Sequence, residues 1–135
     1  MGLKKPILFR YKLAAGRLSP IVSAGIELCG CWQPLELYLD SGAAYTILRS
    51  KAAQDSGFAW TSGQKVFVQV GDGSHIPVFL HKLQMQIGAE RLMATIGFSD
   101  KLGVSFHLLG RQDVFDRFKI CFHEKRKVVT FQAVR

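Results

Sequence analysis

The fold is decided by one stretch of this 135-residue chain, Leu35-Glu36-Leu37-Tyr38-Leu39-Asp40-Ser41-Gly42-Ala43. Its first five residues are largely apolar and predict a short strand, which runs directly into an Asp-Ser-Gly-Ala loop. Asp-Ser-Gly is by itself ordinary turn chemistry, because an Asp side chain readily hydrogen-bonds a backbone amide two residues further on. The function of Asp40 therefore depends on the elements that follow it.

Two such elements are found further along the chain. Alternating apolar residues at 66–70 lead into Gly71-Asp72-Gly73-Ser74 and a long apolar segment at 76–87. This pattern predicts a β-hairpin, because glycines supply the positive φ angles of a tight turn. Leu108-Leu109-Gly110 then predicts an apolar strand that ends at a glycine. Residues 111–118 change to helical spacing, which predicts a short helix after that strand.

The rest of the sequence predicts an all-β domain, because turn residues recur about every 8 to 12 residues. We predict one domain over residues 20–135, preceded by an arm or dimer strand at residues 1–19. Residues 29–34 are predicted to turn the chain, and Ser50–Ser56 to form a helical turn. Further strands are predicted at 7–13, 21–28, 35–39, 46–48, 92–96, 120–122 and 128–131.

Composition narrows the class of protein. Apolar residues make up 48% of the chain and charged residues 21%, which is typical of a globular domain rather than a disordered one. No apolar run approaches the ~20 residues of a membrane-spanning helix, and the N-terminus lacks the apolar core of a signal peptide. We therefore expect a soluble, cytoplasmic protein.

The net charge of +8 gathers toward both ends of the chain. A basic surface can bind nucleic acid, or it can be a solvated face with a flexible arm. No helix-turn-helix, RNA-binding aromatic motif or zinc finger accompanies the charge, so the second interpretation is favoured.

The cysteines and histidines do not predict a metal site. Cys29 and Cys31 lie too close together for the usual zinc spacing, and Cys121 is distant in sequence. The four histidines are scattered along the chain. We expect reduced, structural thiols, no metal and no cofactor.

Taken in order, the Asp loop, the glycine-tipped hairpin and the Leu-Leu-Gly strand resemble the retropepsin-like, single-domain aspartic proteases of retroviruses and some bacteria. The resemblance covers residues 20–131. It implies a mostly β, closed barrel subunit with one short helix after the Leu-Leu-Gly strand, and a two-fold homodimer. It also implies an aspartic endopeptidase that hydrolyses an extended peptide or protein substrate.

The resemblance also implies roles for individual residues. Asp40 corresponds to the catalytic aspartate, and residues 71–74 (Gly71, Asp72, Gly73 and Ser74) to the flap. Ser41 would fasten its loop to the partner's loop, Gly42 would let a backbone amide approach the carboxylate, and Ala43 would leave room for substrate. Gly110 and Arg111 would be structural. The candidates for the substrate pocket, each of which also suits the core, are Ile47, Ile76, Val78 and Leu109.

The residue types suit this chemistry. Two carboxylates about 3 Å apart cannot both ionise, as is established for aspartic proteases as a class, so one acts as acid and the other as base. The chain has one strand-Asp-Ser-Gly motif, and a two-fold dimer would supply the second. Many retroviral enzymes carry Asp at the position of Ala44, paired with the Arg that follows the last Gly. Here Arg111 lacks that partner and is left to pair with Asp113 or Asp116, or to lie on the surface.

Two other classes of function stay open at this point. The first is a retropepsin-like module that binds peptides or assembles proteins without cutting them, although binding alone does not require Asp40. A basic adaptor would bind nucleic acid with an affinity that falls steeply as salt is added.

Overall fold

The computed structural model describes residues 5–134, so residues 1–4 and 135, at the ends of the predicted arm and domain, lie outside the described part. Within it the chain forms twelve strands, one α-helix (α1, Ser50–Ser56) and a 3₁₀ turn (Trp60–Ser62). The strands are β1 (Ile7–Arg10), β2 (Lys12–Ala14), β3 (Arg17–Ser19), β4 (Ile21–Leu28), β5 (Cys31–Leu39), β6 (Thr46–Arg49), β7 (Gln64–Gln69), β8 (His75–Ile87), β9 (Glu90–Ser99), β10 (His107–Leu109), β11 (Phe118–His123) and β12 (Val128–Ala133).

Six of these strands close into a barrel, in the order β4-β5-β10-β6-β9-β8. The barrel closes because β8 also pairs with β4, through Gly25 opposite Gln86 and Ile26 opposite Met85. Closure satisfies the hydrogen-bonding groups that an open sheet would leave along its edges. The predicted mostly β, closed-barrel fold is therefore confirmed.

The inward faces of these strands fill a single main core. Its largest fully buried side chains include Ile26, Leu37, Phe98 and Leu109. A separate, smaller cluster of Ile47, Ile76 and Val78 lies where the hairpin of β7 and β8 folds over β6. That hairpin is thereby anchored by apolar contacts at its base, while its tip is exposed.

The first described residues are packed into the domain. β1 pairs with β12 in a three-stranded sheet with β11, from Ile7 opposite Phe131 to Arg10 opposite Val128. Residues 12–19 form the separate β2–β3 hairpin. Residues 5–19, which belong to the segment predicted as an arm or dimer strand, thus contribute three strands.

The prediction of a short helix after the Leu-Leu-Gly strand is wrong. Residues 111–117 form successive turns, and the α-helix lies earlier, at Ser50–Ser56, where a helical turn was predicted. A helix cannot pass through Asp113, because its φ of 66° is left-handed. That conformation carries the Asp113 carboxylate to the backbone amide of Thr95, from which it accepts a hydrogen bond of 2.8 Å.

The predicted turn at residues 29–34 is also shorter than expected. Cys29 and Gly30 both have positive φ, 51° and 77°, and together they close a two-residue hairpin. Residues 31–34 therefore belong to β5, opposite β4.

Candidate active site

The Asp40 loop is held in place by a strand that passes between its two ends. β10 lies between β5 and β6, parallel to the first and antiparallel to the second. The loop at residues 40–45 joins β5 to β6 and must therefore cross the end of β10. The amide of Asp40 donates a hydrogen bond of 2.9 Å to the carbonyl of Leu109. The position of the aspartate is thus set by the Leu-Leu-Gly strand.

Gly110 lies so close to the backbone of the Asp40 loop that a side chain at this position would require the backbone to shift. A Cβ atom added to it would collide with the backbone carbonyls of Tyr45 and Ala43. The next amides continue the contact, since Arg111 donates to the Ala43 carbonyl and Gln112 to the Ala44 carbonyl, both at 2.9 Å. The loop and the residues after β10 are therefore joined backbone to backbone.

The carboxylate of Asp40 is oriented by its own loop. Its Oδ1 accepts a hydrogen bond of 2.9 Å from the amide of Gly42. A Cβ on Gly42 would lie 3.3 Å from that oxygen, so a larger residue would crowd the carboxylate. Oδ2 has no hydrogen-bond partner within residues 5–134, and Asp40 is partly exposed. One oxygen is therefore fixed, and the other is available to water or a partner group.

The hairpin of β7 and β8 has the predicted glycine turn. Gly73 has a φ of 87°, and its amide donates to the carbonyl of Val70 at 2.9 Å. The Asp72 carboxylate accepts hydrogen bonds from the hydroxyl and the amide of Ser74. These bonds, led by that from the hydroxyl, lower the pKa of Asp72. Asp72 is therefore engaged in shaping the turn.

An open cleft of about 920 Å³ lies between this turn and the Asp40 loop. Six of the predicted site residues line it: Asp40, Gly42, Ala43, Ile47, Gly71 and Asp72. Ser41, Gly73 and Ser74 are exposed beside the cleft without lining it.

The other predicted pocket residues lie deeper. Ile76 and Val78 are buried in the small cluster beneath the hairpin. Leu109 is fully buried in the main core, and its neighbour Leu108 lines the cleft instead. The difference follows from strand geometry, because successive side chains point to opposite faces.

The sequence reasoning missed much of the cleft wall. Tyr38 and Phe106 stack with their ring centroids 4.8 Å apart and an angle of 22° between their planes. Alternation along β5 was a usable signal for Tyr38, since it lies two residues before Asp40 and so faces the same side. The irregular segment 100–106 gave no periodic signal. The full set of missed lining residues is Tyr38, Ala44, Val68, Gln69, Val70, Leu102, Gly103, Val104, Phe106 and Leu108.

Arg111 forms an ion pair with neither Asp113 nor Asp116 in the described part of the chain. Its side chain is exposed, and Asp113 instead binds the amide of Thr95. The backbone of Arg111 is nevertheless part of the site, through the bond from its amide to Ala43.

His107 connects the cleft wall to the start of α1. Its Nδ1 accepts a hydrogen bond of 3.0 Å from the amide of Arg49, which precedes the helix. Burial, and to a lesser extent the nearby charge of Arg49, lower the pKa of His107 below its ordinary 6.5. The neutral imidazole is thus the form that fits this position.

Within residues 5–134, no three His, Cys, Asp or Glu side chains are grouped as metal ligands. In the same range, no helix has the length and apolar character needed to cross a membrane. The three cysteines are free, with Cys29 and Cys31 exposed.

Comparisons with known proteins find similarity in structure but not in sequence. No family model matches the chain, and no curated protein matches it significantly. Its structure is similar to the crystal structure of a retropepsin-like aspartic protease from Rickettsia conorii, with a TM-score of 0.69 and 16% identity over 96% of this chain and 91% of that one. It is also similar to EIAV protease in complex with the inhibitor HBY-793, with a TM-score of 0.56 and 18% identity over 78% of this chain and 93% of that one. At these identities the likeness establishes the fold, so the chain has the predicted retropepsin-like fold.

Proposed function

We propose that this chain is one subunit of a homodimeric aspartic endopeptidase, in which Asp40 from each of two copies forms the catalytic pair. The observation that carries the proposal is the Asp40 carboxylate itself. It is partly exposed in a largely apolar cleft, with one oxygen held by the Gly42 amide and the other without a partner in the described chain. The retropepsin-like fold supports the same conclusion.

The chemistry needs two carboxylates in different protonation states. The ionised Asp40 takes a proton from a water molecule, whose oxygen attacks the peptide carbonyl carbon. The protonated Asp40 of the other copy gives its proton to the carbonyl oxygen, which completes the tetrahedral intermediate. Like charges at short distance hold the pair in this singly protonated state.

One chain does not supply this pair within its own cleft. The acidic residues among the described lining residues are Asp40 and Asp72. Asp72 lies at the exposed tip of the hairpin, where Ser74 already donates two hydrogen bonds to it. A second copy, related by a two-fold axis through the Asp40 loops, would bring an identical carboxylate in an identical setting. Ser41, exposed next to Asp40, would then lie where the two loops meet.

The cleft suits an extended peptide substrate. Its walls are apolar, with Ile47, Val68 and Leu102 on different elements, and Gly71 and Asp72 of the proposed flap also line it. An extended peptide could hydrogen-bond to the flap backbone as an added strand, while its side chains enter the apolar walls.

Subunit mixing tests this proposal. Wild-type protein is equilibrated with a threefold excess of Asp40→Asn protein, and peptide cleavage is measured per wild-type subunit. If subunits pair at random, about one quarter of the wild-type subunits have a wild-type partner, so activity should fall to about one quarter. Asp72→Asn serves as the control, and its mixture should show the sum of the two separate activities. Activity per wild-type subunit that is unchanged by Asp40→Asn would mean that one chain holds a complete site.

A further inference from the structure

The β2–β3 hairpin exposes two leucines that belong to neither buried cluster of residues 5–134. It forms a two-stranded sheet of its own, turned by Ala15 and Gly16 with φ angles of 51° and 77°. Leu13 and Leu18 lie directly opposite each other and therefore share one face. Their exposed fractions are 72% and 50%. An exposed apolar pair on one face of a hairpin favours contact with a second apolar surface.

Basic residues surround this hairpin. Tyr11, just before it, donates its amide to the carbonyl of Lys127 at 2.8 Å and its hydroxyl to Glu124 at 3.1 Å. The hairpin is thereby fixed beside the turn between β11 and β12. Four exposed basic residues form no ion pair within residues 5–134 and lie in these two segments or at the end of β1, just before the hairpin: Arg10, Arg17, Lys125 and Arg126.

The nearby acidic groups are already neutralised. Glu124 is paired with Lys127, and Glu36 is paired with Lys12 at the base of the hairpin. Hydrogen bonds from Lys127 and then from Tyr11 keep the pKa of Glu124 low, so it stays ionised and bound to them. The four basic side chains and the two leucines are called here the basic hairpin surface, which therefore combines an uncompensated positive charge with two exposed apolar side chains.

We infer that the basic hairpin surface docks onto an anionic phospholipid bilayer. Leu13 and Leu18 would enter the boundary between headgroups and acyl chains, and the basic residues would contact lipid phosphates. This combination of buried apolar area and attraction to anionic lipid is the general basis of reversible peripheral binding. No residue of the basic hairpin surface lines the cleft. Docking through this surface therefore uses none of the residues that line the proposed active site.

The surface is a poorer match for two other partners. Single-stranded nucleic acid is commonly held by basic residues together with aromatic rings that stack on its bases. Here the aromatic residue next to the hairpin, Tyr11, is buried and its hydroxyl is bound to Glu124, so Phe122 on β11 is left as a single exposed ring near Lys125 among the described residues. A second copy of the same surface would bring like charges together, which is unfavourable at ordinary ionic strength.

Vesicle co-sedimentation of the full chain tests the inference. The protein should partition onto vesicles of phosphatidylcholine mixed with phosphatidylglycerol, and much less onto phosphatidylcholine alone. The double variant Leu13→Ser, Leu18→Ser should bind the mixed vesicles at least about tenfold more weakly. Lys125→Glu with Arg126→Glu should weaken binding at least as much.

Matched controls lie elsewhere on the barrel. Met93→Ser changes another half-exposed apolar residue, and Lys82→Glu with Lys101→Glu makes the same change in net charge at exposed positions. Binding that the leucine variant retains in full, or that the controls lose equally, would overturn the inference. So would tighter binding to a single-stranded oligonucleotide through Lys125 and Arg126, or a change of oligomeric state in the leucine variant.

Discussion

The buried hydroxyl of Thr46 accepts a hydrogen bond of 3.1 Å from the amide of Gly110. Thr46 is fully buried at the start of β6, immediately after the Asp40 loop, and Gly110 follows β10. The bond therefore joins the downstream end of the loop to the strand that supports its upstream end. Although neither residue lines the cleft, together they fix the backbone that presents Asp40.

Thr46→Val should destabilise the protein, since it keeps the shape of the side chain but leaves the Gly110 amide buried without an acceptor. A buried, unpaired donor costs about 1–3 kcal/mol. Urea denaturation should show this loss for Thr46→Val and little loss for Thr46→Ser, which keeps the hydroxyl. Equal stability of the two variants would mean that the hydrogen bond contributes nothing.

Gly110→Ala should reduce stability and peptide cleavage together. The added methyl group meets the carbonyls of Tyr45 and Ala43, so β10 or the Asp40 loop must shift. Such overpacking typically costs about 1–3 kcal/mol. Gly103→Ala is the matched control for stability, because a Cβ there meets no atom within 4 Å. A Gly110→Ala protein as stable as this control and as active as wild type would show that the loop accommodates the change.

The sequence was sufficient where local chemistry and fold agree. Alternating apolar residues on both sides of Gly71–Ser74 predicted the hairpin, and the apolar segments around Asp40 and Gly110 predicted the strands that meet there. These features depend on neighbours in the chain, so a short stretch of sequence carries their signal.

The errors arose where distant contacts decide the structure. Helical spacing after Gly110 was overridden because Asp113 reaches the Thr95 amide, 18 residues away, in a left-handed conformation. The part of the cleft wall formed by Leu102 and Phe106 was missed because the irregular segment 100–106 has no periodic spacing of apolar residues. Leu109 was assigned to the pocket because its strand was identified correctly while its face was not.

Asp40→Asn should abolish peptide cleavage while preserving the fold. The amide can neither take a proton from water nor share one with a partner carboxylate, but its oxygen can still accept the hydrogen bond from Gly42. The Tm should therefore stay close to that of wild type while turnover is lost. Asp72→Asn, at the turn between β7 and β8, should retain most of the activity. Turnover that persists in the Asp40 variant, at any level above contamination, would rule out the aspartic mechanism.

Acid should weaken the protein through His107, in the same pH range in which a shared-proton carboxylate pair is expected to work. The pKa of His107 in the folded chain lies below its ordinary 6.5, chiefly because of burial. Between these two values the unfolded chain binds more protons, so the free energy of unfolding falls as the pH drops below 6.5. Protonation also removes the acceptor for the Arg49 amide, next to Phe106 and Leu108 in the cleft wall.

The urea midpoint of the wild-type protein should thus fall as the pH is lowered from about 7.5 to about 5. His107→Asn, which offers an acceptor that does not titrate, should lessen that fall. His75→Asn, at the exposed start of β8, is the control, and a fall that is identical in wild type and both variants would assign the acid sensitivity to other groups.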